Sequence, residues 1–225
     1  MKIAVMQPYL LPYLGYWQLM NEVDIFVVYN NIEYTKRGWI NRNKLESGYI
    51  TLPLAKSADN SLVCERNLSS EWPKHRDKLI RRFREYKGFE NFTSFYPVIE
   101  QILMCRHTNL FDFIFNSIFL IKTYLQVDTK LVISSHLDID HSLRKHHKVN
   151  AICQALGATT YVNPIGGISL YDQSMIDCEL QFLQMNYFQH EKIPDIYLSI
   201  ADLLMRVSEF QPLLKEWEYA SPRSI

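Results

Sequence analysis

Four stretches of the chain concentrate side chains that could do chemistry. The first is Gln7-Pro8-Tyr9, followed by Pro12-Tyr13 and Gly15-Tyr16. Gln7 offers an amide to a substrate, the tyrosines offer ring faces to a base or a sugar, and Gly15 lets backbone approach a ligand or a helix closely. The alternative is that the rings simply pack the loop. The second stretch, Tyr34 to Asn43, holds the guanidinium forks of Arg37 and Arg42, the Lys36 ammonium and the amides of Asn41 and Asn43. That set suits a planar oxyanion, with Trp39 as a stacking surface. On a strand, Arg37, Trp39 and Asn41 would face one side and Arg42 the other. The plainer alternative is an exposed hairpin with ordinary charges.

The third stretch is rich in histidine: His136, Asp138, Asp140 and His141, then His146-His147. Imidazole and carboxylate are common metal ligands, but the spacing matches no closed zinc pattern, so no metal is expected. A polar loop leading into a helix, with Asp140 or Ser142 as its N-cap, is the expected arrangement. A base role for one histidine is the other option. The fourth stretch runs from Tyr161 through Asn163 and Gly166-Gly167 to Tyr171 and Asp172. Its paired glycines leave amides free to wrap an anion. Gln189 adds one more amide, and Ser199 with Asp202 reads first as an N-cap and capping box. No G-x-G-x-x-G and no G-x-x-x-x-G-K-[ST] occurs, so neither dinucleotide nor P-loop chemistry is expected, and no residue pattern names a cofactor. A cysteine nucleophile would need a base and an orienting group, for which there is no signature.

The elements that must position these residues follow from periodicity. Short apolar runs at Lys2–Met6, Ile25–Tyr29, Lys130–Ser134, Ala158–Asn163 and Leu180–Met185 read as strands. Pro8 and Pro12 hold the first stretch as a loop entering a helix near Gly15–Asn21. Alternation around Glu46-Ser47-Gly48 predicts a hairpin. From Trp72 to Leu125 the pattern is helical: Leu79, Phe83 and Tyr86 form one stripe, a second helix spans Ser94–Met104, and a third spans Leu110–Leu125. A further helix over Leu143–Leu156 closes at Gly157, and two helices from about Ser199 end the chain. Strands separated by helices imply a parallel sheet covered on both faces. The expected fold is therefore a single α/β domain over residues 1–225: a Rossmann-like, mostly parallel sheet flanked by helices, with a helical layer inserted at about 70–125.

Composition narrows the partners. The 225 residues carry 24 basic and 24 acidic side chains, a formal net charge of zero, which argues against a general DNA or RNA binder. Charge is nonetheless uneven. Glu65–Gly88 holds eight basic against four acidic residues, either a solvated helix face or a patch for a phosphorylated ligand, and Met175–Ala220 holds three against eight. The start lacks a basic segment followed by a long apolar one, and Leu110–Leu125 is broken by Asp112, Asn116 and Lys122. Neither a secretory signal nor a membrane span is expected. Four scattered cysteines fit reduced thiols, so the expectation is a soluble, cytoplasmic protein.

IAVMQPYLLPYLGYWQLMNEVDIFVVYNN, YTKRGWINRN with ITLPL, ICQALGATTYVNPIGGISLYD and SIADLL together resemble the WbqC-like proteins. The resemblance covers residues 1–54 and about 150–206. It carries over Gln7, Pro8, Pro12, Tyr13, Gly15, Arg37, Trp39, Asn41, Arg42, Asn43, Tyr161, Gly166, Tyr171, Ser199 and Asp202. The histidine-rich run departs from the family pattern, and so does the segment around Gln189. The family's setting is bacterial surface-polysaccharide (O-antigen) biosynthesis. It implies a transferase that forms an amide between a small acyl group such as glycine and a dTDP-linked 4-amino sugar. In that scheme Arg37 and Arg42 clamp the pyrophosphate, and Trp39 or Tyr13 stacks on the base. Gln7 with Asn41 or Asn43 orients the acyl oxygen, and Asp202 or His141 accepts the amine proton. The acyl donor is an amino acid with ATP, a thioester carrier or an aminoacyl-tRNA; the oligomeric state stays open. The competing expectation is a non-enzymatic nucleotide-sugar binding or scaffold protein.

Overall fold

The structure, a computed structural model, describes residues 1–186 and 190–220; Gln189 lies outside them. Eight strands and six helices follow in the order β1 (Lys2–Met6), α1 (Leu14–Glu22), β2 (Ile25–Val28), β3 (Arg42–Leu45), β4 (Gly48–Thr51), α2 (Trp72–Arg84), α3 (Phe92–Leu103), α4 (Leu110–Tyr124), β5 (Lys130–Ile133), α5 (Lys145–Leu156), β6 (Thr160–Pro164), β7 (Glu179–Met185), α6 (Ile200–Arg206) and β8 (Trp217–Ala220). Six strands form one sheet in the order β5-β2-β1-β6-β7-β8, parallel except for β8. This is the mixed α/β, Rossmann-like architecture that the alternation of strands and helices predicts. No helix among the described residues is long and apolar enough to cross a membrane.

Both sheet faces are apolar because successive strand residues point to opposite sides and both sides are covered. Ala4, Phe26 and Val28 face a core shared with α1, the β3–β4 hairpin, α2–α4 and α6. Ile3, Val5, Ile25 and Val27 face a second core with Val149, Ile152 and Cys153 of α5. The predicted helical layer is thus α2–α4, packed on the same sheet face as α1. Gly157 ends α5 in the left-handed conformation at φ 66°, as its place after the last apolar residue implies. Part of the basic run belongs to the fold. Arg82 ties the hairpin turn by donating to Ser47 Oγ at 2.8 Å and to the carbonyls of Tyr49 and Gly48, each at 2.6 Å.

Three expectations are corrected. Among the described residues, the chain end holds one helix, α6, followed by a short 3₁₀ turn at Pro212–Lys215 and then β8. Gln18, buried in α1, holds that turn through the carbonyls of Leu213 and Glu216 at 2.8 and 3.0 Å, and β8 pairs antiparallel with β7. Residues 37–41 are turn rather than strand, with Arg37 at φ 63°, so Arg37, Trp39 and Asn41 share no strand face. Finally, α5 starts at Lys145 and is capped by neither Asp140 nor Ser142. Asp140 Oδ1 instead accepts from the Ser142 amide and hydroxyl at 2.8 and 2.6 Å, a local turn that competes with capping.

Candidate functional site

In an open parallel sheet the crevice lies beyond the carboxyl ends of the strands, where the strand order reverses. Here the chain runs outward from β1 to β2 and β5 on one side, then returns to β6 and β7 on the other, so the reversal falls between β1 and β6. A cleft of about 640 Å³ opens at that point. Gln7 follows β1, Tyr29 follows β2, and Asn163 and Gln184 lie next to the last residues of β6 and β7. Tyr13 and Trp39 form a wall, with Tyr13 6.2 Å from the exposed Tyr197 ring. A smaller recess adjoins at Tyr9, Pro12 and Asn43.

The wall stands where it does because the loop after β1 is lashed by polar groups. Asn43 Nδ2 donates to the carbonyls of both Leu10 and Leu11 at 2.8 Å, and Ser199 Oγ donates to Leu11 O at 2.8 Å. Trp17 Nε1 and the Ile200 amide both donate to Pro12 O at 3.1 Å. Leu11 itself sits at φ 45°, a conformation that these bonds hold against its side chain. Gly15 is required by proximity: a Cβ there would stand 2.6 Å from the Tyr13 ring.

Gly167 is required in the same way, since its Cβ would stand 2.2 Å from Asn163 Nδ2. Asn163 is 5% exposed and its Nδ2 has no hydrogen-bond partner, although it lines the cleft. A buried donor without a partner costs about 1–3 kcal/mol, a cost that a ligand acceptor would remove. Gly166, by contrast, has open space around it. We therefore expect Gly167→Ala to displace Asn163 and weaken any ligand of the cleft, while Gly166→Ala leaves the fold intact. Thermal melts and ligand titration of the two variants check the contrast, and equal behaviour would refute the role of Asn163.

The described residues lining this cleft include no carboxylate, imidazole, thiol or cation. Its titratable groups are tyrosines. Burial raises Tyr9, Tyr13, Tyr29, Tyr161 and Tyr171 above the ordinary 10.0, so they act as neutral O–H donors. The cations lie at one end. A second cavity of about 530 Å³ shares Val5, Tyr29, Ile32, Tyr161 and Tyr171 with the cleft and adds Glu33, Arg144 and Lys145.

Tyr16, Tyr86 and Tyr161 carry a consequence for stability. Burial first, and for Tyr86 a bond to Asp202 next, holds all three hydroxyls above 10.0. Their protonated form is favoured in the folded state, so this stability is complete below pH 10.0 and is lost as pH rises past it. Denaturant midpoints should fall through that range, and the share of tyrosinate absorbance due to the three buried rings should appear only with unfolding. A midpoint that is flat with pH would contradict this.

Of the residues singled out by sequence, the structure gathers Gln7, Tyr9, Tyr13, Gly15, Trp39, Tyr161, Asn163, Gly166, Gly167 and Tyr171 around one cleft. It places the others elsewhere. Arg42 donates to Arg37 O at 2.5 Å and lies over the Trp39 and Tyr49 rings, bracing the turn; neither arginine lines the cleft. Asn41 is consumed by Leu52 O and the Tyr34 hydroxyl, and Asn43 and Ser199 by the loop carbonyls. His141 is exposed and away from the cleft. Its Nδ1 lies 2.9 Å from Asn31 Nδ2 and 3.0 Å from Lys148 Nζ, both donors, and its Nε2 lies 3.1 Å from Leu137 O. Those partners assign Nδ1 as acceptor and leave it no free lone pair for a base role. Asp202 is fully buried, with Oδ1 taken by Arg206 Nε at 2.6 Å and Oδ2 by Tyr86 Oη and the Glu46 amide. It makes no capping box, because its carboxylate is committed to Arg206 and not to the Ser199 amide.

Sequence reasoning missed Tyr29, Gln184, Tyr197, Arg144 and Lys145 as site residues. Position at a strand's carboxyl end was the available signal for Tyr29 and Gln184. Tyr197 and Arg144 come from loops whose course the sequence does not reveal, and Lys145 opens α5.

The fold and the cleft define an α/β protein with a ligand crevice at the reversal point of a parallel sheet. The chain belongs to the WbqC-like protein family, whose model matches residues 7–212. It is 27% identical over 227 residues to the uncharacterized protein Rv1507c of Mycobacterium tuberculosis, covering 94% of this chain and 96% of that one. No solved structure matches it.

Proposed function

We propose that the protein transfers a small acyl group, with glycine the leading candidate, onto the amine of a nucleotide-linked (dTDP) 4-amino sugar in O-antigen biosynthesis. The observation that carries this reading is the unpartnered Nδ2 of Asn163 in a cleft of aromatic rings and neutral amides. Rings and amides suit a sugar, whose C–H faces pack on aromatic rings while its hydroxyls hydrogen-bond.

Amide formation needs an uncharged amine, an oriented acyl carbonyl and donors for the oxyanion that forms on it. Burial in a cleft whose described lining holds no carboxylate penalises an ammonium through desolvation, which shifts a bound amine toward its neutral, nucleophilic form. Asn163 Nδ2, the Gln7 amide and tyrosine hydroxyls are the donors available to the oxyanion. The amine nitrogen bonds to the acyl carbon, the bond from that carbon to its carrier breaks, and the amine proton leaves with the carrier or to water. The donor is an amino acid with ATP, a thioester carrier or an aminoacyl-tRNA.

The second reading is a nucleotide-sugar binding or scaffold protein without turnover. It is favoured by the lack of a general base among the described cleft residues. Purified protein incubated with dTDP-4-amino sugar and each donor type should yield a product heavier by one glycyl unit in mass spectrometry. No mass gain with any donor, alongside retained binding, would leave the second reading.

A further inference from the structure

We propose, building on the cleft as the ligand site, that Arg144 and Lys145 form a phosphate subsite at its α5 end. That subsite takes the diphosphate of a nucleotide-linked ligand, and the sugar of that ligand lies toward Trp39 and Tyr13. Three observations meet here. First, the cavity bearing the two cations shares Val5, Tyr29, Ile32, Tyr161 and Tyr171 with the main cleft, so the two adjoin and offer room side by side for one extended ligand. Their combined room suits a molecule larger than a sugar alone.

Second, the polarity is divided. The described lining of the main cleft carries no formal charge, whereas the second cavity adds Arg144, Lys145 and Glu33. The diphosphate of a nucleotide-linked sugar, flanked by two groups without phosphate, is favoured at the cationic end of such a groove, which leaves the sugar along the uncharged cleft. The N-terminal end of α5, a helix of 12 residues beginning at Lys145, adds a positive dipole on the anionic side. Third, Asn163 Nδ2 is buried without a partner where the sugar would lie. It calls for a ligand acceptor independently of the cations.

Arg144 is available for this work. It is exposed, and its only ion pair among the described residues is Glu33 at 3.9 Å, a long and solvated contact. An incoming phosphate would compete with Glu33 for the guanidinium, so Glu33 holds affinity down. Tyr29, whose hydroxyl is raised by burial and pulled back by Arg144, adds a neutral donor beside the same guanidinium.

Calorimetric titration with inorganic pyrophosphate and with dTDP tests the subsite without requiring turnover. Wild-type protein should bind both, with affinity falling as salt rises. Arg144→Ala combined with Lys145→Gly should weaken both by about 10-fold or more, and Glu33→Gln should tighten them. Lys145→Gly serves because φ at this position is 51°, where glycine is favoured, so its melting temperature should hold or rise. Wild-type failure to bind pyrophosphate and dTDP, or an unchanged affinity in the folded double variant, overturns the subsite. Binding of the 4-amino sugar without its nucleotide, tested in parallel and lost in Gly167→Ala, reports on the cleft itself. The subsite and the cleft reading therefore fail separately.

Discussion

Asp202→Ala should lower the unfolding free energy by roughly 3–5 kcal/mol, with a fall in Tm on the order of 10 °C, while ligand affinity of the folded fraction stays unchanged. Asp202 is fully buried, and three donors depend on its carboxylate. Arg206, 7% exposed, gives Nε to Oδ1 at 2.6 Å and pairs through Nη2 with Glu46. Tyr86 Oη and the Glu46 amide both donate to Oδ2. The guanidinium is also sandwiched near the Phe89 ring, 4.3 Å from its centroid, and the Tyr86 ring at 5.5 Å. Removing the carboxylate leaves a guanidinium in a low-dielectric pocket with one partially exposed partner. That uncompensated charge dominates the cost. Asp202→Asn keeps the shape and some hydrogen bonds but not the charge, and should fall between the two. Asp202 as a general base predicts the opposite pattern: lost turnover with an unchanged melt. Melting curves beside binding titrations separate the two outcomes.

Asn43→Ala should cost about 2–3 kcal/mol and also weaken ligand binding, because this residue holds the wall of the cleft. Its Nδ2 serves two carbonyls, Leu10 O and Leu11 O, and its Oδ1 accepts from the Lys44 amide. Leu11 O keeps Ser199 Oγ, but Leu10 O loses its side-chain donor inside the core. A buried acceptor left unpaired accounts for most of the loss. Once one lash is cut, Leu11 can relax from φ 45°, and Tyr9 and Tyr13 move with the loop. Ser199→Ala removes a single bond and should act more weakly in the same direction. If Asn43→Ala lowers stability but leaves affinity for the cleft ligand untouched, the loop is not the wall that we describe.

The specific motifs therefore divide by role. In Q-P-Y-x-x-P-Y-x-G-Y, Gln7, Tyr13 and Gly15 reach the cleft, and Tyr16 packs in the core with Phe26, centroids 4.9 Å apart. In R-G-W-x-N-R-N, only Trp39 lines the cleft, while Asn41, Arg42 and Asn43 hold turns and carbonyls. Type and spacing cannot tell these apart, since an amide that binds a ligand and an amide that binds a buried carbonyl look identical in a sequence. Both are indispensable to the site, one by contact and the other by position.

Strand and helix identities as far as α6, the hairpin at Glu46-Ser47 and the left-handed stop at Gly157 follow from local periodicity and turn chemistry, which the sequence by itself determines. So does the placing of the first and fourth stretches beyond strand ends, because a parallel sheet sends all its carboxyl ends to one side. Which polar groups are spent and which are free was decided only in three dimensions. Asp202 meets Arg206 and Tyr86, Asn43 meets Leu10 and Leu11, and Arg144 and Lys145 reach the Tyr29 end of the cleft. Most of these partners are separated by tens of residues or more, and hydrogen bonds and desolvation act at distances of a few ångströms. Their outcome is fixed by how helices and loops pack on the sheet, and local sequence carries no record of that packing.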